Sequence, residues 1–389
     1  MTNVLISTSI RHTPVNKPSG RLLVYNLESD SIIRRCEIIE PPYREENPNP
    51  RGGLRGLKGI SIKNDVIAVA NASTIFLYDP NWNPITYFFH PSCAGIHDIL
   101  LENENIWVTS SRNDLLINLD FSGKPILFYD SRTFKTILNN PHWQPKSFLS
   151  RQQFLKGDLD FRDPRTHDEV FADSSHLNAV TKLQNGDLLI SCGLLKNPNH
   201  LRLLYVKNWM IKNRTWYQFE KVNRFMRKYA KKKRHKHSGE LVIQPVHGLS
   251  VIFRISPTGK VNHCLTLNGS SAPSHSVRAL ADGTAIYLDT TNGQVVHLDP
   301  TSGEILSKTT VGQNFLRGAR QLPDGTLLLG DNNKVIHFDL QKREIISSTT
   351  VSDDNAEAIF DFFILPDHYG LPPQSFVDHH NKLMPVIQI

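Results

Sequence analysis

The chain has 389 residues, of which 39% are hydrophobic, and a formal net charge of +7. No run approaches the roughly 18 apolar residues of a membrane-spanning helix. Met1–Ile6 is too short for a secretory apolar region and lacks its basic start, so a cytoplasmic location is expected. The positive charge is local: Lys207–His237 holds twelve Lys or Arg and one Glu, a segment charge of +11 that leaves the remaining chain at −4. The four cysteines (Cys36, Cys93, Cys192, Cys264) are scattered without CxxC spacing. They read as reduced structural thiols, neither a disulfide framework nor a zinc site.

In chain order, Asn3–Ser7, Arg21–Tyr25 and Ile32–Ile39 read as three strands with no strand before them. Glu40–Gly53, rich in Pro, Asn and Glu, reads as a surface loop. Strand patterns resume at Leu57–Ile62 with Val66–Val69, and again at Ile96–Leu101 with Ile106–Val108. A first insertion, 131–174, follows; NPHWQP (Asn140–Pro145) is not expected to be regular structure because each proline lacks a ladder donor, and Phe148–Leu155 has the length of a short helix. Asp158–Asp173 carries five Asp and one Glu without metal-like spacing, and reads as a solvated loop or a lid.

The next strand pair begins at His176–Val180 and continues at Leu188–Ser191. A second insertion, 193–250, interrupts it. Within that insertion Trp216, Phe219, Val222, Phe225, Met226 and Tyr229 recur mostly at steps of three, the period of an amphipathic helix, with Lys221, Arg224, Arg227 and Lys228 on the other face. The helix runs into the basic segment Lys231–His237. Strands resume at Val251–Ile255 and turn at Pro257–Lys260.

The segment from Ser274 to Ile346 explains the rest. It holds two copies of one pattern, SHSVRALADGTAIYLDTTNGQVVHLDPTSGEI and LRGARQLPDGTLLLGDNNKVIHFDLQKREI, 42 residues apart when aligned on Asp282-Gly283 and Asp324-Gly325. Each copy has four short apolar runs, and Asp-Gly between apolar runs signals a hairpin whose two turn residues take positive φ. Four strands per repeat of about 40–45 residues is the signature of a propeller blade. A final start, Glu357–Phe363, lies 40 residues after Arg317 and has no three strands after it. The amino-terminal strands supply them. The chain is therefore expected to be all-β, one six-bladed β-propeller over 1–389 closed by its N- and C-terminal strands, with a basic helical insertion.

One position recurs at the start of each innermost strand: Lys58, His97, Asn178, His275, Arg317 and Glu357, with His176, Asp98 and Asp361 as neighbours. Innermost strands surround the channel, so these residues should converge on the axis. The chain is thus read as binding a small anionic or polar ligand on its axis, and two cations, two imidazoles and one carboxylate favour an anionic one such as a carboxylate, sulfate or phosphate, with Arg317 as fork-shaped donor. Lys58, Asn178, Glu357 and His176 join Arg317 as ligand-binding candidates. His97 and His275 are the candidates for nucleophile or general base, with Lys58 and Arg317 stabilising developing negative charge. A metal set of His97, His275 and Glu357, completed by His176 or Asn178, ranks last because Lys58 and Arg317 oppose a cation. The ring has too few oxygen ligands for calcium. No metal and no cofactor is therefore expected. The competing account is a ring that only hydrates the channel, on a scaffold whose segment Lys207–His237 docks a polyanion, a membrane surface or an acidic protein; no motif for specific nucleic-acid recognition accompanies it.

The segments HLNAV (His176–Val180), SHSVRALADGTAIYLDTTNGQVVHLDPTSG (Ser274–Gly303), LRGA (Leu316–Ala319) and AIFDFFILPD (Ala358–Asp367), with IHD (Ile96–Asp98) and HWQP (His142–Pro145), resemble a bacterial family of hypothetical proteins catalogued as a domain of unknown function. That resemblance covers about 90–190 and 265–370 and implies a propeller fold and no established activity. The chain is more distantly similar to gluconolactonase-like propellers, which would need an acidic metal-binding ring lacking here. It is also distantly similar to arylsulfate-sulfotransferase propellers, whose axial histidine and basic residues His97, His275 and Arg317 resemble in type.

Overall fold

The computed structural model describes residues 2–47, 54–139, 159–165, 173–195, 215, 248–270, 272–312 and 315–383. Its strands form six antiparallel four-stranded sheets, each a blade of one propeller. From the axis outward, blade 1 begins with Leu57–Lys63, blade 2 with Ile96–Leu101, blade 3 with Leu177–Lys182, blade 4 with His275–Ala279 and blade 5 with Leu316–Gln321. Blade 6 has the C-terminal strand Glu357–Leu365 innermost, followed outward by Asn3–Ile10, Arg21–Asn26 and Ser31–Glu37. The expected closure by both ends of the chain is therefore the observed one. Asn3 to Ser7 pair with Leu365 to Asp361 in unbroken register.

Burial follows the blade geometry. Second strands such as Leu188–Leu195, Ala285–Asp289 and Leu327–Asp331 are buried throughout, because each is covered on both faces by neighbouring blades. The outermost strands Ser31–Glu37, Ile305–Thr310 and Glu344–Thr350 are largely exposed or alternate, with one face in water. Among the described residues there is no single central core. Six apolar clusters instead fill the seams between adjacent blades, for example Leu22, Ile60 and Tyr78 between blades 6 and 1, and Leu189, Ile252 and Tyr287 between blades 3 and 4. A hydrophobic share of 39% suffices because the apolar side chains are concentrated in these thin seams.

The Asp-Gly hairpins form where expected but by a different turn. Only Gly283 (φ 87°) and Gly325 (φ 88°) take positive φ, while Asp282 and Asp324 do not. The Asp282 carboxylate accepts a hydrogen bond from the Thr284 amide at 2.9 Å, and Asp324 does the same for Thr326. This is the longer hairpin loop with one left-handed residue, which asks glycine of one position only. All four cysteines are free, and burial pushes the thiols of Cys36, Cys93 and Cys192 up to about 12.

A carboxy-terminal helix, Phe376–Leu383, was not anticipated from the sequence. Phe376 packs against Tyr78 and Trp82 of blade 1, with ring centroids 5.3 and 5.7 Å away, and the Trp82 indole donates to the Gly370 carbonyl. The helices expected at Phe148–Leu155 and Trp216–Tyr229, and the basic run Lys231–His237, lie outside the described residues. Among the described residues no helix is long and apolar enough to cross a membrane.

Candidate functional site

Every innermost strand breaks register against its neighbour at the equivalent place. The slips fall at Leu57/Ile60, Ile96/Ile99, Leu177/Ala179, His275/Val277 and Arg317/Ala319. In blade 6 the slip is at Ser7/Thr8, opposite which Phe360 is the extra residue. A β-bulge bends its strand and re-aims the side chains beside it. Repeated around the ring, the bulges turn polar residues out of the regular in-out alternation and toward the axis. Ser276 (φ 65°) and Gly318 (φ 73°) adopt the left-handed backbone that such a kink demands.

His97, His176, His275, Lys58 and Arg317 are brought together there. One ring nitrogen from each histidine lies within 4.8 Å of the others. The His176 ring stands edge-on to His97 and His275, with centroids 4.8 and 5.3 Å away. Lys58 Nζ sits 4.1 Å and the Arg317 guanidinium 3.4 Å from the centroid of the Phe360 ring, which takes the place in the ring that Glu357 was expected to fill. Arg11 and Arg317 share Phe315 as a second aromatic face, at 4.4 and 5.7 Å.

The cluster is electrostatically unusual. Lys58 is 4% exposed and Arg317 8%, yet neither has a carboxylate within ion-pair distance among the described residues. Two guanidinium nitrogens of Arg317, Nε and Nη2, are buried without a hydrogen-bond acceptor among the described residues. Burial, then the charges of Arg317, Arg55 and Arg11, hold the Lys58 amine well below its ordinary range. Burial, then Arg11 and Arg55, does the same to Arg317. Burial and the neighbouring His176, Lys58 and Arg317 keep His97 well below the usual imidazole range. Burial followed by Arg317, His176 and His97 does so for His275. His97 remains partly accessible to solvent, as befits a group lining a channel.

One step along the strands the axis is closed by a second polar layer. Arg278 of blade 4 reaches Asp98 of blade 2 at 2.6 Å and Asp361 of blade 6 at 2.8 Å. Asp98 also accepts from the Val180 amide of blade 3 at 2.9 Å. Burial pushes the Asp98 carboxyl up to about 6; Arg278 pulls against that shift and the neighbouring Asp361 adds to it. Both carboxylates are paired to Arg278; Asp361 opposes the depression of Arg317 from a distance but does not outweigh burial, Arg11 and Arg55, and among the described residues no carboxylate acts on Lys58 in this way.

Two expected ring members are placed elsewhere. Asn178 is the bulged residue of blade 3, and its amide is used up between blades, donating to the Ser274 carbonyl at 2.6 Å and accepting from Ser191 at 2.8 Å. Glu357 lies ahead of the blade 6 bulge and is held by Arg21 at 2.6 Å and by Thr8 and Ser352 at 2.7 Å. His176 is outside the regular strand, at φ 51°, and swings its ring into the cluster from that strained backbone. Sequence reasoning missed Phe360, Phe315, Arg278 and Asp173. None of these had a clear signal in the sequence, since the register slip that turns Phe360 inward shows only in the strand pairing.

A cleft of about 670 Å³ between blades 2 and 3, lined by Phe128, Tyr129, Phe134, Phe253 and His263 among others, contains none of the converging residues. The unpaired buried charge puts the candidate site on the axis and not in that cleft.

No family model matches the chain, and no curated protein does. Solved structures do. A chain of a nidogen–laminin complex aligns at 10% identity with a TM-score of 0.52, covering 94% of this chain and 99% of that one. A protein of unknown function from Bacteroides caccae aligns at 9% identity and TM-score 0.51, covering 93% and 97%. A putative gluconolactonase aligns at 11% identity and TM-score 0.43, covering 78% and 80%. At these identities the first two carry the propeller fold alone, and the third adds nothing further. The finer motif resemblance, and that to arylsulfate sulfotransferases, gains no support from them.

Proposed function

We propose that the chain binds a small anionic ligand at the propeller axis, with Arg317 and Lys58 as its charge partners. The observation that carries this is the buried Arg317 guanidinium with Nε and Nη2 left without acceptors. An unpaired buried donor is costly, and a charged one more so, unless a ligand completes it. A planar guanidinium offers parallel N–H donors that match a carboxylate, sulfate or phosphate edge. Lys58 adds a point charge, and the aromatic faces of Phe360 and Phe315 hold the cations in place in the meantime.

His-based transferase or hydrolase chemistry is the finer part of the proposal. His97 and His275, kept neutral by burial and by the cations, have the protonation state that a nucleophile or general base needs. Arg317 and Lys58 would stabilise negative charge growing on ligand oxygens. The test is calorimetric titration of wild type and Arg317→Met with sulfate, phosphate and a series of small carboxylates. Saturable binding by wild type that the variant lacks supports the reading, and equal behaviour of the two proteins rejects it.

A further inference from the structure

The three imidazoles share a feature that anion binding does not use. Each has its Nδ1 engaged by an acceptor: the Gly95 carbonyl at 2.8 Å for His97, the Asp173 carboxylate at 2.6 Å for His176, and the Thr290 hydroxyl oxygen at 3.4 Å for His275. The Thr290 hydroxyl donates its own proton to the Leu316 carbonyl at 2.8 Å, so toward His275 it accepts. With the rings neutral, these partners assign the same tautomer to all three, protonated at Nδ1 with the lone pair on Nε2. Nε2 of His176 and Nε2 of His275 then face each other at 3.3 Å with no proton between them. Two lone pairs so placed repel, and a positive centre between them removes the repulsion.

We propose that His97, His176 and His275 bind a divalent transition-metal ion of the zinc class through their Nε2 atoms. With metal–nitrogen bonds of about 2.0–2.1 Å, the edge of a tetrahedron is about 3.3–3.4 Å, which is the separation already present between His176 and His275. The third ring nitrogen lies within 4.8 Å and closes by a small rotation. A carboxylate, a backbone carbonyl and a hydroxyl on the far nitrogens are the outer partners that orient metal-binding histidines and raise their basicity. Three histidines leave the fourth position of a tetrahedral ion open.

Sequence reasoning ranked metal last, using Glu357 as a ligand and counting Lys58 and Arg317 against a cation. The structure supplies His176 in place of Glu357. The cationic neighbours oppose a bare ion, but they favour an ion whose open position carries an anion. Resting on the anion reading above, the second step of the inference is that the ligand places one oxygen on the metal and others on Arg317 and Lys58. The metal site itself does not depend on that step.

The experiment uses the untagged full-length protein, stripped with chelator and dialysed against zinc or cobalt. Metal content is read by mass spectrometry and the cobalt form by its visible spectrum. About one ion per chain, with the intense bands of tetrahedral cobalt, is expected. His176→Gln and His275→Gln should lose stoichiometric binding. Asp173→Asn, which keeps all three ligands, should bind about 10–100-fold more weakly, and it keeps the test valid should a histidine variant not fold. Sulfate or phosphate should change the cobalt spectrum of wild type but not of Arg317→Met. Failure of wild type to take up either ion, or equal uptake by the histidine variants, overturns the metal site while leaving anion binding to be judged by its own titration. Metal binding with a spectrum indifferent to anions that do bind overturns the shared-ligand step.

Discussion

Replacing Arg317 by methionine separates a residue kept for a ligand from one kept for the fold. In the free protein the Arg317 side chain is 8% exposed, with Nε and Nη2 unpaired. Leaving buried polar groups unsatisfied costs about 1–3 kcal/mol, offset in part by about 1 kcal/mol from the Phe360 face. Methionine keeps an unbranched apolar stem and removes the charge, so the free protein should gain about 1–2 kcal/mol. At about 2.1 cal/mol/K of unfolding entropy per residue, a chain of 389 residues has about 0.8 kcal/mol/K, and the gain reads as a rise in Tm of about 1–3 °C. Loss of two charge-assisted bonds to a bound anion, at about 1.5–3 kcal/mol each, costs about 3–6 kcal/mol, a roughly 10²–10⁴-fold weaker Kd. Differential scanning fluorimetry with and without sulfate or phosphate reads both effects. A variant that melts lower than wild type and keeps the full anion-induced shift would refute the reasoning and make Arg317 a structural residue.

In metal-free protein, anion binding relieves the repulsion that depresses Lys58, His97 and His275, so it takes up protons and affinity should strengthen as pH falls; titration calorimetry in two buffers of different ionisation enthalpy checks this, and buffer-independent heats contradict it. The depressed histidines also make a stability contribution that is present above the unfolded pKa of about 6.5 and lost as pH falls below it. Asp98 and Asp114, each pushed up to about 6, act in the opposite sense over about pH 4–6, so the comparison is between wild type and His275→Gln, whose stability should fall less on acidification below about pH 6.5. Ending the chain before Glu357 removes buried Ile359, Phe360, Phe362 and Leu365 from the closing sheet, roughly 6–12 kcal/mol at 1.5–3 per side chain and comparable to the whole net stability of about 5–15. Circular dichroism should show no cooperative melt for that product. Gly193→Ala would bring a Cβ to 2.1 Å from the Ser274 carbonyl oxygen and 2.5 Å from Asn178 Nδ2, where blades 3 and 4 meet; a loss of about 1–3 kcal/mol is expected, and an unchanged melt contradicts the close packing of that seam.

The blade count, the 42-residue repeat and the closure by both chain ends were legible because each blade carries its own strand and turn pattern. The residues around the axis were legible in type but only partly in register. Aligning repeats on their turns places the start of each inner strand, yet the bulges decide which side chain swings inward, and a bulge leaves little trace in the spacing of apolar residues. Asn178 sits on the bulge and is consumed between blades, while His176 just before it reaches the axis from a left-handed backbone. Glu357 precedes its bulge and pairs with Arg21 of its own blade, a contact between residues 336 apart in sequence that no local pattern reports. The Asp98–Arg278–Asp361 bridge joins three blades and was equally beyond a one-dimensional reading. The helix at Phe376–Leu383 was missed because its core contact is Phe376, docked on the distant Tyr78 and Trp82, and not a repeated stripe.

The most direct test of the axial anion site is a crystal of the protein soaked in selenate, an anomalous scatterer with the shape of sulfate. An anomalous peak on the axis, within hydrogen-bonding distance of Arg317 Nε or Nη2 and of Lys58 Nζ, is the predicted result. Selenate bound only elsewhere, with the Arg317 guanidinium paired to a protein acceptor, would contradict it.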